Sequence, residues 1–193
     1  MTSVPLLIIG LLLFLIPHLL RELGLRDRLI EALPSEGAYK GAYKGAFSLA
    51  ALLGLGLIIL GKGQASFSML WQPFFEWRVL SHVLMLPAFI LLAAGNMPPS
   101  HLGATVRNPM VLGVVLWGMA HLWANGDLAS VLLFGSFTVW GVVKFTSLAR
   151  NYELPAKSPR IFWDIIAVVV GLILYGLITI FHGQLFGVGL SLA

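Results

Sequence analysis

Apolar residues run along this chain in six uninterrupted stretches, roughly Val4–Leu20, Gly45–Gly61, Val79–Gly95, Pro109–Ala124, Leu128–Val143 and Ile165–Phe181. None contains Asp, Glu, Lys or Arg. Each is 16 or 17 residues long, short for a hydrocarbon core of about 30 Å unless flanking aromatic and basic residues carry the helix through the interface. Buried helices of a water-soluble core are excluded because no polar surface remains to dissolve them. The pattern predicts an all-α polytopic membrane bundle of about six transmembrane helices with amphipathic helices at the interfaces. The first stretch lacks a basic leader and carries Pro17-His18 where a cleavage site would lie, so it reads as a retained first helix.

The segments between these stretches have their own periodicity. Arg21–Leu33 mixes charges and leucines at helical spacing, as an amphipathic surface helix does. Phe67–Trp77 is its aromatic counterpart on the opposite side, part of an aromatic belt. Gly37–Lys44 reads GAYKGAYK, a tandem repeat of four residues that extends a helix with little rotation of its faces, and Pro34-Ser35 offers a start for it. Gly37, Gly41 and Gly45 form one stripe, and Ala38, Ala42, Ala46, Ala50 and Gly54 another. Both are expected to let a neighbouring helix approach closely. No linker or shift in composition divides the chain, so residues 1–193 read as one domain.

Composition agrees with this pattern and narrows the chemistry. The chain is 59% hydrophobic and 10% charged, with a mean hydropathy of +0.93. Soluble domains are nearer half apolar and a quarter charged. A net charge of +4 is too small and scattered for a nucleic-acid footprint. It is not scattered across the spans, however: ten of the twelve basic residues fall in the first, third and fifth connections, with only Lys62 and Arg78 opposite. The positive-inside rule then puts both termini outside the cytoplasm, as expected of a protein of a bacterial inner membrane. The absence of cysteine removes disulfides, iron–sulfur clusters, thiolate-ligated haem and thiol nucleophiles. That leaves His18, His82, His101, His121 and His182 as the strong donors for a soft metal or haem iron.

Arg107–Phe134 is the most organised stretch. Pro109, Gly113, Trp117, His121 and Asn125 follow at four-residue spacing along one helix face. Pro109 suits the first turn, Gly113 leaves a gap, Trp117 offers a flat wall and His121 an imidazole, a set that a planar cofactor needs. Asn125-Gly126 reads as a tight reversal and Asp127 as the cap of the next helix. A membrane-buried histidine also serves as an interhelical hydrogen-bonder, but intramembrane ionisable groups lean towards function. If the ring stands across the membrane, two axial ligands of one iron share a depth. The topology places His82, His121 and His182 near the outer ends of their spans, His18 near an inner end and His101 in an inner loop. Depth thus favours pairing His121 with His182 or His82. Tyr175 and Thr179 share a stripe with His182 and are placed to orient its ring.

The run RNPM…G…W…AHL…NGDLAS…LLF (Arg107–Phe134) resembles the core motif of the NnrU-domain membrane proteins. So do Pro17-His18-Leu19, the GAYKGAFSL segment and His182 with Leu185-Phe186-Gly187, so the resemblance covers nearly the whole chain. That family takes its name from a gene needed alongside expression of nitrite and nitric oxide reductases in denitrifiers. It is similar to the plant 15-cis-zeta-carotene isomerase, which uses a b-type haem with histidine ligation. The resemblance implies haem b, with His121 a ligand and His18 its second ligand, and nitric oxide or an apolar molecule as the species acted upon. Here it disagrees with depth, which favours His182 or His82. The family motif reads Arg-His-Pro where this chain has Arg107-Asn108-Pro109, and asparagine neither titrates near neutrality nor ligates iron well. Two other functions compete. One is a methyltransferase resembling the isoprenylcysteine carboxyl methyltransferases, for which Arg150-Asn151-Tyr152-Glu153 is the nearest match to their late acidic–Arg pair. The other is a scaffold acting through a membrane partner or as a homo-oligomer.

Overall fold

A computed structural model describes residues 3–33, 35, 37, 39–74, 78–150 and 157–190. Among these residues eight α-helices follow one another. They are α1 (Ser3–Leu19), α2 (Leu25–Glu31), α3 (Lys44–Gly63), α4 (Val79–Ala94), α5 (His101–Val106), α6 (Pro109–Ala124), α7 (Leu128–Arg150) and α8 (Ile161–Phe186). The six expected stretches are α1, α3, α4, α6, α7 and α8. Gly41–Gly63, α7 and α8 are long and apolar enough to cross a membrane. The other three are apolar helices of 16 or 17 residues. On α8 only Ala167 and Gly171 are buried, while Ile165, Ile173, Leu177 and Ile180 stand exposed. Such a surface is stable against lipid tails and not against water. The chain is an integral membrane protein.

The apolar helices stand side by side in the order α3, α1, α7, α6, α4, α8. Neighbouring helices approach closely at a few glycines. A Cβ on Gly54 would stand 2.7 Å from the main-chain nitrogen of Phe14 and 2.9 Å from the carbonyl oxygen of Gly10. Gly61 likewise lies against the backbone of Leu7, and Leu7, Leu11, Leu15, Ile58 and Ala129 form the core between α1, α3 and α7. Of the glycines in the expected small-residue stripes, Gly54 makes this contact. Gly41 and Gly45 have open space around them. Tyr39–Tyr43 forms a π-helical turn ahead of α3. Pro34 and Ala38, which the same expectations include, lie outside the described residues.

Each end of the bundle has its own polar lock. At one end, hereafter the turn end, Asn125 closes α6 by donating both its main-chain N–H and its Nδ2 to the His121 carbonyl, each at 2.9 Å. Asp127 then caps α7, accepting the Ser130 N–H at 3.0 Å, as the sequence predicts. Phe67–Trp71 is not helical. It lies across this turn, with Leu70 N–H to Gly126 O at 2.7 Å and Leu128 N–H to Ser68 O at 2.8 Å. Gly126 must be glycine because a Cβ there would run into the Trp71 carbonyl. The remainder of the expected aromatic segment, residues 75–77, lies outside the described residues. At the other, basic end, Lys144 of α7 donates to both Glu22 carboxylate oxygens at 2.8 and 2.9 Å and to the His18 carbonyl at 2.8 Å. The amphipathic helix expected over Arg21–Leu33 is the shorter α2, which buries no residue and leaves Leu25 and Leu29 exposed at this end.

Candidate functional site

Helix α6 carries the site residues but does not present them all to one neighbour. Four residues advance an α-helix by about 400°, so an i+4 stripe drifts by about 40° per step. Gly113 therefore faces α4, where a Cβ would meet the Ala88 carbonyl at 2.9 Å and Leu92 at 3.0 Å. One and two steps later, Trp117 and His121 face α7. The His121 ring stacks on Phe134 with centroids 4.4 Å apart and planes inclined by 22°. Trp117 meets His121 at 5.1 Å and Phe134 at 5.0 Å. Thus the indole and the imidazole are adjacent, as the spacing predicts, while the notch beside Gly113 is filled by α4.

The hydrogen bonds of the histidines fix their chemistry. Nδ1 of His121 lies 2.8 Å from the Trp117 carbonyl, and Nδ1 of His18 lies 2.6 Å from the Phe14 carbonyl. Nδ1 of His182 lies 2.6 Å from the carbonyl of Val188, just beyond α8. A carbonyl only accepts, so in each ring Nδ1 carries a proton, and in the neutral form of the ring Nε2 keeps its lone pair. This is the tautomer in which an imidazole ligates a metal, with the carbonyl holding its orientation. His82 differs, because its Nδ1 meets the Tyr175 hydroxyl at 2.8 Å. Tyr175 therefore orients His82 rather than His182, contrary to the reading of the Tyr175–His182 stripe. His101 opens α5 beside Asp164, its Nδ1 3.0 Å from Oδ2, and its side chain is 61% exposed.

Position separates the histidines into two groups. His121 and His182 both lie near the C-terminal ends of their helices, at the turn end. His18 sits towards the basic end, stacked on Phe14 at 4.6 Å and edge-on to Trp140 at 6.2 Å. An aromatic ladder joins the two regions, from His121 and Trp117 through Phe137 to Phe14 and His18. Its anchors on α7, Phe134 and Trp140, are six residues apart, about 9 Å along the axis. His18 and His121 are not brought face to face. Among the described residues, no three His, Asp or Glu side chains converge to hold a metal ion.

Asn108 stands at the basic end, immediately before α6. Thirteen residues separate it from His121, about 20 Å of helix. Its Nδ2 is buried with no hydrogen-bond partner. The Arg-His-Pro departure thus alters the far end of α6 and leaves the surroundings of His121 untouched. Of the Arg150–Glu153 match, only Arg150 lies within the described residues.

Sequence reasoning missed two polar features. The first is the turn-end network, in which Lys62 reaches Asp127 at 3.2 Å and the Ser130 hydroxyl at 2.8 Å. Burial pushes the Asp127 carboxyl up, but the hydroxyl and N–H of Ser130, with Lys62, outweigh it and hold it below the usual carboxylate range. The lone Lys62 on the less basic side was the available signal. The second is a cleft of about 490 Å³ at the basic end, lined among others by His18, Phe47, Arg21, Arg26, Lys44 and Lys144.

No curated protein and no solved structure matches the chain. The family model described as NnrU protein matches residues 6–190. With His18, the Arg107–Phe134 motif and His182 all inside that match, the chain belongs to the NnrU family.

Proposed function

We propose that this NnrU-family protein is a b-type haem protein of a bacterial inner membrane, with His121 and His182 as the iron's two imidazole donors at the turn end. The observation that carries the proposal is the hydrogen bonding of those two rings. Each ring donates its Nδ1 proton to a main-chain carbonyl, so in its neutral form each has a bare Nε2, and both residues sit near the C-terminal ends of their helices, at the turn end. Two neutral imidazoles are a donor set that haem iron accepts. The positive-inside rule puts this end outside the cytoplasm.

When bound, haem supplies a one-electron redox centre and, where one imidazole is displaced, an open position for nitric oxide or an apolar substrate. The chain's own residues do the rest. The Trp117 carbonyl sets the tilt of His121, while Phe134 and Trp117 cover its ring and keep water from it. Asn125, bonded to the His121 carbonyl, holds the last turn of α6 in place. His182, at the end of the largely lipid-exposed α8 and tied to the segment after it, is the more easily displaced donor. This division suits nitrogen-oxide chemistry or haem-dependent isomerisation, where one ligand must yield. Protein purified in detergent from haem-replete cells should show a Soret band that His121→Ala abolishes. A colourless wild-type preparation would refute the proposal.

A further inference from the structure

The cleft at the basic end is a second site, independent of the haem reading. Its cations come from three separate segments: Arg21 and Arg26 after α1, Lys44 at the start of α3, and Lys144 late in α7. Glu22 neutralises Lys144 through two short hydrogen bonds, and Asp27 lies 3.8 Å from Arg26 at an exposed position. Among the described residues Arg21 and Lys44 remain in excess, so the charge lining the cleft is positive. Its apolar floor includes Pro17 and Phe47, and the His18 ring adds an imidazole.

Depth decides what kind of anion this cleft takes. Ser3–Leu19 carries no charged residue other than His18 near its end, and α3 carries none between Lys44 and Lys62. The cleft therefore lies where charged surface gives way to membrane-spanning surface, the level of lipid phosphates. Directly along the same two helices, Leu13, Ile16 and Leu49 are exposed and apolar. A free inorganic anion would use the cations and leave that surface unused. We infer that the cleft binds a phosphate group carried on an apolar tail, with Arg21 and Lys44 as its principal charge partners and Phe47 against the start of the tail.

The test is binding of dioleoylphosphatidic acid, dioleoylphosphatidylcholine and inorganic phosphate to delipidated full-length protein in a neutral detergent, read by native mass spectrometry. Phosphatidic acid should bind saturably and phosphatidylcholine much more weakly. A basic side chain at a membrane surface is worth about fivefold in affinity for anionic lipid, so Arg21→Gln with Lys44→Gln should weaken phosphatidic acid binding about 30-fold. Lys157→Gln, an exposed cation at the same end but outside the cleft, should change nothing. Arg21→Lys with Lys44→Arg should retain binding, which separates charge from folding. Equal binding of the two lipids, or an unchanged affinity in the double glutamine variant, would overturn the inference. So would inorganic phosphate binding as tightly as phosphatidic acid, since the tail would then contribute nothing.

Discussion

Replacing Asp127 with alanine tests whether the turn end is held by charge as well as by packing. The carboxylate accepts the Ser130 N–H at 3.0 Å and the Lys62 ammonium at 3.2 Å. Loss of a helix cap costs about 1 kcal/mol. A hydrogen bond to a charged group is worth about 1.5–3 kcal/mol, but Lys62 is 33% exposed and regains water when its partner goes. About 1 kcal/mol of that interaction is therefore lost in practice, giving about 2 kcal/mol for Asp127→Ala. Asp127→Asn keeps an acceptor for the cap and should cost about 1 kcal/mol. In a double-mutant cycle, Lys62→Met should be milder by about 1 kcal/mol once Asp127 is gone.

The pH dependence has a definite sign. Because the folded carboxyl titrates below its unfolded value, its contribution is complete above the usual carboxylate pKa of about 4. It disappears as the pH falls through the lowered folded value. Asp127→Asn should therefore flatten the acid limb of the stability curve. The assay is reversible unfolding in mixed detergent–dodecyl sulfate micelles followed by tryptophan fluorescence. A cost for Asp127→Ala within about 0.5 kcal/mol of zero would refute the reasoning, because that is the range of featureless surface substitutions. An acid limb steeper in Asp127→Asn than in wild type would refute it as well.

Two further substitutions probe the packing. Gly54→Ala places a methyl against the Phe14 and Gly10 backbone and should cost about 1–3 kcal/mol in the same assay. Gly45→Ala, with open space around it, should be neutral or stabilise α3 by up to about 1 kcal/mol. At the basic end, Glu22→Ala leaves Lys144, 17% exposed, without its carboxylate. It should destabilise by about 2–3 kcal/mol, below the 3–5 kcal/mol of a fully buried pair, while Glu22→Ala with Lys144→Met should recover much of that loss.

The apolar stretches are legible in the sequence because charge punctuates them, and their errors have the same origin. The apolar stretch ends at Val143 because Lys144 follows, while α7 runs on to Arg150 with Lys144 paired to Glu22. The last stretch starts at Ile165 because Asp164 precedes it, while α8 begins at Ile161. There Asp164 accepts the Leu102 N–H at 2.8 Å. A charge satisfied by a distant partner does not end a helix, and the partner is not visible in the local sequence. The contact between Trp117 and His121 follows from their spacing, whereas the filling of the Gly113 notch depends on which helix stands alongside. Likewise the shared end of His121 and His182 follows from the alternation of spans, whereas the lateral order α3, α1, α7, α6, α4, α8 is not carried by periodicity. The pairing of Ser68–Trp71 with the Asn125–Asp127 turn is equally a matter of long-range placement.

The most direct measurement is the visible absorption spectrum of the purified protein beside those of His121→Ala, His182→Ala and His18→Ala. With imidazoles 121 and 182 on one iron, wild type shows a low-spin Soret band, His121→Ala loses it, His182→Ala converts it to a weaker five-coordinate spectrum, and His18→Ala leaves it unchanged. A spectrum lost in His18→Ala but intact in His182→Ala, or no chromophore in wild type, contradicts the account.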